Sequence, residues 1–225
     1  MTWIALVFAV LALHNVVGNE VVPDAAYVPV NLLTGALLVC LALGAGASFG
    51  DLGLGRADAS TGLRWGLAIA GVVAVGLAVG IALPSIRGLF HDQRVAGLSG
   101  AGLAYEALVR IPLGTALFEE IAFRGVLLAL LLRLTSTIPA VAVSSALFGL
   151  WHILPTISAL RANDLAEGIA ATFGAVVGAV VVTGIGGVLL CALRLHTGSL
   201  VAPVVAHTAT NSLAIAAAFV VQRAD

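Results

Sequence analysis

Apolar runs of about 20 residues, separated by short polar and glycine-bearing stretches, recur along the whole chain. A helix rising 1.5 Å per residue needs about 20 such residues to cross the hydrocarbon core of a bilayer. The pattern therefore predicts about seven transmembrane helices (eight on a more generous division), at roughly 2–18, 28–49, 65–86, 104–132, 137–157, 167–193 and 198–221. The separators are Gly18–Ala26, Gly50–Arg64, Arg87–Gly102 and Thr156–Glu167. The expected fold is an all-α polytopic transmembrane bundle, with residues 1–225 forming a single membrane domain. Small residues at helical spacing, such as Ala170, Gly174 and Gly178 or Gly76 and Gly80, predict close helix packing. Pro203 is expected to kink the last span, freeing the Ser199 carbonyl and opening space beside His207.

Composition sharpens this reading. Hydrophobic residues make up 61% of the chain and charged ones only 9%, against about a quarter in soluble domains. A mean hydropathy of +1.15 fits an integral membrane protein. The net charge of −1 gives no basic footprint, so nucleic acid is not an expected partner. Cys40 and Cys191 lie in different apolar runs without a CxxC pair, and read as buried small hydrophobes. The N-terminus lacks a basic region and a small-residue cleavage site, so it reads as a first span.

All ten basic side chains are arginine, which with the Ala/Gly/Val bias points to a GC-rich bacterial genome and a bacterial plasma membrane. An N-in orientation puts Arg56, Arg64, Arg133 and Arg194 inside, against Arg87, Arg94, Arg161 and Arg223 outside. That balance barely discriminates, and N-in is a lean only. Oligomeric state is not legible.

Against this background a few ionisable groups stand out inside the spans: Glu119, Glu120, Arg124, His152 and His207, together with Asn211. Three unpaired charges in lipid would cost on the order of 8–10 kcal/mol, so they require partners, water or a substrate. Glu120 and Arg124 stand four apart on one helix face, as suits either a structural ion pair or a functional one. Glu119 points about 100° away and is left to seek another partner, such as an imidazole across the bundle. His152 follows Phe148 by one turn, and His207 precedes Asn211 by one turn. A lone histidine on an apolar helix is commonly satisfied by a backbone or hydroxyl group, so each alone stays open. His14 and His196 lie near span ends and read as interface residues, and His91 as a loop residue. Taken together, carboxylate and imidazole can deprotonate water, while imidazole and carboxamide can donate to an oxyanion.

The series Glu119-Glu120-x-x-x-Arg124, Phe148-x-x-x-His152 and His207-x-x-x-Asn211 resembles the three-motif signature of the CPBP intramembrane proteases. That family holds the type II CAAX prenyl endopeptidases and the bacterial ABI proteins linked to bacteriocin processing and immunity. Thr197–His207 is similar to the family's lead-in to its third motif, and the likeness spans about 105–213, a catalytic core. The resemblance implies an α-helical membrane endopeptidase, as a bacterial member. Glu119, assisted by His152, would activate water; His207 and Asn211 would donate to the oxyanion; Glu120 and Arg124 would hold the helix and tune the field. The implied substrate is a membrane-associated protein or peptide of unstated sequence, met within the lipid bilayer.

No cofactor is expected. The alternative is zinc on Glu119, His152 and His207, a known catalytic ligand set, although no His-Glu-x-x-His is present. Other functions compatible with the polar residues are a non-proteolytic scaffold or immunity protein, and a small proton-coupled transporter. The lack of a clear internal repeat counts against the transporter.

Overall fold

A computed structural model describes residues 2–56, 58–165 and 168–224. Among the described residues there is no strand. Among the same residues, six helices are long and apolar enough to cross a membrane. These are α1 (Thr2–Glu20), α2 (Asp24–Gly44), α3 (Ala59–Ala82), the span Thr137–Ala162, α7 (Ile169–Thr197) and α8 (Val201–Ala224). The remaining expected span, 104–132, is the continuous helical run α4 over residues 100–132. It differs from the others because Glu106, Arg110, Glu119, Glu120 and Arg124 interrupt its apolarity, and because much of it is π-helical. The chain is a polytopic all-α helical membrane protein.

Ser99 starts α4 by accepting a hydrogen bond from the Gly102 amide at 3.0 Å. Within α4, π-helical turns at Glu106–Ala116 and Ile121–Leu127 flank a short α-helical turn, Leu117–Glu120. Such widened turns are rare and concentrate at functional sites. The second half of α4 is the core of the bundle: Phe118, Phe123, Val126, Leu127 and Leu128 are all fully buried.

The span Thr137–Ala162 is broken at His152 into α5 (Thr137–Trp151) and α6 (Ile153–Ala162). Pro155 explains the break. It has no amide hydrogen to give to the Trp151 carbonyl one turn back. That carbonyl is instead satisfied by the Asn15 side-chain amide of α1, at 3.0 Å. Pro203, expected to kink α8, does not. The helix begins at Val201, so Pro203 sits in its first turn, where no intrahelical bond is lost. The real punctuation lies just before: Gly198 ends α7 with φ of 66°, and the Ser199 hydroxyl caps α8 by accepting from the Val201 amide at 3.2 Å.

The glycine ridges also need correction. A Cβ at Gly76, Gly174 or Gly178 would meet nothing within 4 Å, so these positions are not packing contacts. Gly80 does make a close approach, since a Cβ there would lie 2.8 Å from Phe90, and others occur elsewhere. At Gly66 of α3 a Cβ would lie 2.7 Å from Val205 of α8, and at Gly149 of α5 it would lie 2.6 Å from the Val180 carbonyl of α7. Gly149→Ala is therefore expected to cost about 1–3 kcal/mol, since backbone cannot yield as a side chain can. Thermal unfolding in detergent should show the loss, while Gly71→Ala, with open space around it, should show none. Cys191 is buried as expected, whereas Cys40 is exposed on the outside of the bundle.

Candidate active site

Glu119 and Glu120 share the α-helical turn between the π stretches, and their side chains diverge around the axis. Glu120 is fully buried. Its Oε1 accepts two hydrogen bonds, from Arg124 Nη1 on the same helix and from His207 Nδ1 on α8, both at 2.8 Å. A carboxylate sharing one oxygen between a guanidinium and an imidazole forms charge-assisted bonds, the stronger class. The Arg124 guanidinium also lies 3.8 Å from the centroid of the Phe148 ring. That contact, at a fully buried side chain, is worth about 2 kcal/mol and covers a cation whose Nε and Nη2 make no hydrogen bond among the described residues.

Glu119 is set differently. Its Oε1 accepts from the indole N–H of Trp151 at 3.0 Å. Its Oε2 is buried without a hydrogen-bond partner among the described residues and lies 3.8 Å from His207 Nε2. An unpaired buried carboxylate oxygen is costly, and in a native site it marks strain, catalysis or a place for water. A cavity of about 40 Å³ adjoins the carboxylate, lined by His14, Tyr27, Asn31, Trp151 and Pro155 among others. It is large enough for about two or three waters.

Phe148 joins the two halves of the site. Besides Arg124, its ring centroid lies 4.6 Å from that of His152 and 5.9 Å from that of His207. His152, at the helix break, donates Nδ1–H to the Phe148 carbonyl at 2.8 Å. This bond orients the ring and leaves Nε2 as its free nitrogen. His152 makes neither a hydrogen bond nor an ion pair with Glu119; the imidazole nearest that carboxylate is His207. Asn211 is half-buried one turn beyond His207, and its side chain makes no hydrogen bond among the described residues.

Two residues here carry more than their positions in the sequence suggest. His14, expected at the interface, is buried, bonded through Nε2 to Asn31 Oδ1 at 2.8 Å and through Nδ1 to Thr34 at 3.2 Å. Trp151 bonds the carboxylate itself. The signal for Trp151 lay in its place directly before His152 and four residues before Pro155, since a buried indole needs a hydrogen-bond partner. For His14 the signal was weaker: an ionisable ring and Asn15 inside an apolar run.

The family model for Type II CAAX prenyl endopeptidase Rce1-like proteins matches residues 101–213, half of the chain. The chain belongs to this Rce1-like family. The match begins as α4 begins and ends two residues past Asn211, so it encloses all three polar motifs. No curated protein and no solved structure matches the chain. Membership in the Rce1-like family makes this an intramembrane endopeptidase of the CAAX type in general terms, and a multi-pass integral membrane protein. Among the described residues, no group of three or more His, Cys, Asp or Glu side chains is disposed to hold a metal ion.

Proposed function

We propose that the protein hydrolyses a peptide bond of a membrane-associated protein or peptide, with Glu119 as general base and no metal cofactor. The observation that carries this reading is the contrast between the neighbouring carboxylates. Glu120 is bound by Arg124 and His207, whereas Glu119 keeps one buried oxygen unpaired beside an imidazole and a polar cavity. A base must hold an uncommitted lone pair, and Glu119 Oε2, buried without a hydrogen-bond partner among the described residues, keeps one.

In this mechanism a water between Glu119 Oε2 and His152 Nε2 gives its proton to Glu119 and attacks the scissile carbonyl. His207 and Asn211 donate to the oxygen as it becomes an oxyanion. Glu120 accepts the His207 Nδ1 proton, which aims Nε2 into the site, and Arg124 offsets the Glu120 charge. With His207 as imidazolium, two carboxylates face two cations, and the buried cluster is neutral. Glu119 then passes its proton to the departing amine. Arginine-only basicity and the Ala/Gly/Val bias support a bacterial plasma membrane as the setting.

The reading is tested with purified protein in phospholipid vesicles. Two probes are embedded with it: a peptide farnesylated at a cysteine three residues from its C-terminus, and an unmodified single-span peptide. Mass spectrometry should find a new peptide terminus on one of them. Cleavage of neither would overturn the reading. Incubation with a chelator, followed by its removal, should leave the rate unchanged. A loss restored by added zinc would replace the metal-free mechanism with one using Glu119, His152 and His207 as ligands.

A further inference from the structure

Trp151 touches the proposed base directly, and α1 touches Trp151 twice. The Asn15 amide holds its carbonyl at 3.0 Å, where Pro155 has removed the helical partner. The His14 ring lies nearly parallel to the indole, with centroids 6.2 Å apart and planes at 12°. His14 is itself fixed by Asn31 and Thr34 of α2. All four polar residues lie outside the 101–213 segment that matches the family. The α1–α2 hairpin therefore holds Trp151 at its backbone carbonyl and stacks on its ring, while the indole N–H holds Glu119.

We infer that Trp151, clamped by His14 and Asn15, is a positioning residue that selects which oxygen of Glu119 acts as the base. The inference rests on the general-base reading of Glu119. An indole nitrogen can only donate, so the oxygen it meets is always occupied as an acceptor. With Oε1 held at 3.0 Å by Trp151, the carboxylate plane is fixed and Oε2 is the oxygen left for water. Without that bond, a carboxylate beside a cavity of about 40 Å³ is free to rotate away from the attacking line. Misplacement of a reacting group by about 1 Å can cost about 10²-fold in rate. The hairpin thus belongs to the catalytic apparatus through contact with Trp151.

Trp151→Phe keeps the ring and removes the donor. On whichever vesicle-embedded probe peptide the wild-type protein cuts, kcat should fall about 10–100-fold with KM within about twofold. Adding Trp151→Phe to Glu119→Gln should give no further loss, because both changes act through one group. Wild-type kcat in Trp151→Phe, with Glu119→Gln inactive, would overturn the clamp and leave the base assignment standing. Full activity in Glu119→Gln would overturn both. A second measurement needs no turnover: in protein with ¹⁵N-labelled tryptophan, the Trp151 indole N–H resonance should move upfield in Glu119→Ala. It should also shift or broaden in Asn15→Ala, as the backbone that carries the ring loses its anchor. No movement in either variant would show that the bond or its support is absent and would overturn the proposal.

Discussion

Glu119→Gln is expected to lower kcat for peptide cleavage by about 10²–10⁴-fold, the contribution typical of a general base. The amide keeps the shape of the carboxylate and can still accept the Trp151 N–H through its oxygen. It cannot take a proton from water. KM and the unfolding midpoint should therefore stay near wild type, and initial rates in vesicles separate this outcome from misfolding. Glu120→Gln should behave differently. Glu120 accepts hydrogen bonds from both Arg124 and His207 at 2.8 Å, so its loss should reduce stability along with activity. A variant pair that loses activity and stability in the same proportion at both positions would contradict the division of labour between the carboxylates.

The second large effect concerns Arg124. Its side chain and that of Glu120 are both completely inaccessible, and they form an i,i+4 ion pair within α4 at 2.8 Å. Removing one member of a buried pair leaves an uncompensated charge, at about 3–5 kcal/mol. Arg124→Leu is expected to lose this much, and in addition the cation resting on Phe148. Among the described residues, His207 then remains as the sole hydrogen-bond partner of the Glu120 side chain. Reversible unfolding in mixed micelles measures the loss. Combining Arg124→Leu with Glu120→Gln should recover part of it, since no net charge is then stranded. Equal stability of Arg124→Leu and wild type would show that the pair contributes nothing to holding α4 in the bundle.

Much of this architecture is legible in the sequence because lipid imposes a simple length requirement on apolar helices. The span at 2–18 is found at Thr2–Glu20, and that at 198–221 at Val201–Ala224. The errors at the ends trace to local chemistry, such as the Ser199 cap and the left-handed turn at Gly198. The pairing of Glu120 with Arg124 follows from four-residue spacing alone. The attachment of His207 to Glu120 does not, since it depends on how α8 lies against α4. Helical-wheel reasoning at 100° per residue also cannot reveal the π turns that flank the two carboxylates. Pro155 and Pro203 look alike in sequence. Only the start of α8 at Val201 shows that one breaks a helix while the other opens one. His14 and Trp151 are hidden for a related reason: their partners lie on other helices, and a spacing rule reads only within one helix.

The most direct test compares the membrane proteomes of cells expressing the wild-type protein and Glu119→Gln at equal levels. The predicted result is a discrete membrane-protein fragment with a new terminus that accumulates only with the wild-type protein. Identical fragment patterns in the two strains, with both proteins folded and membrane-embedded, would contradict the claim that Glu119 drives peptide hydrolysis.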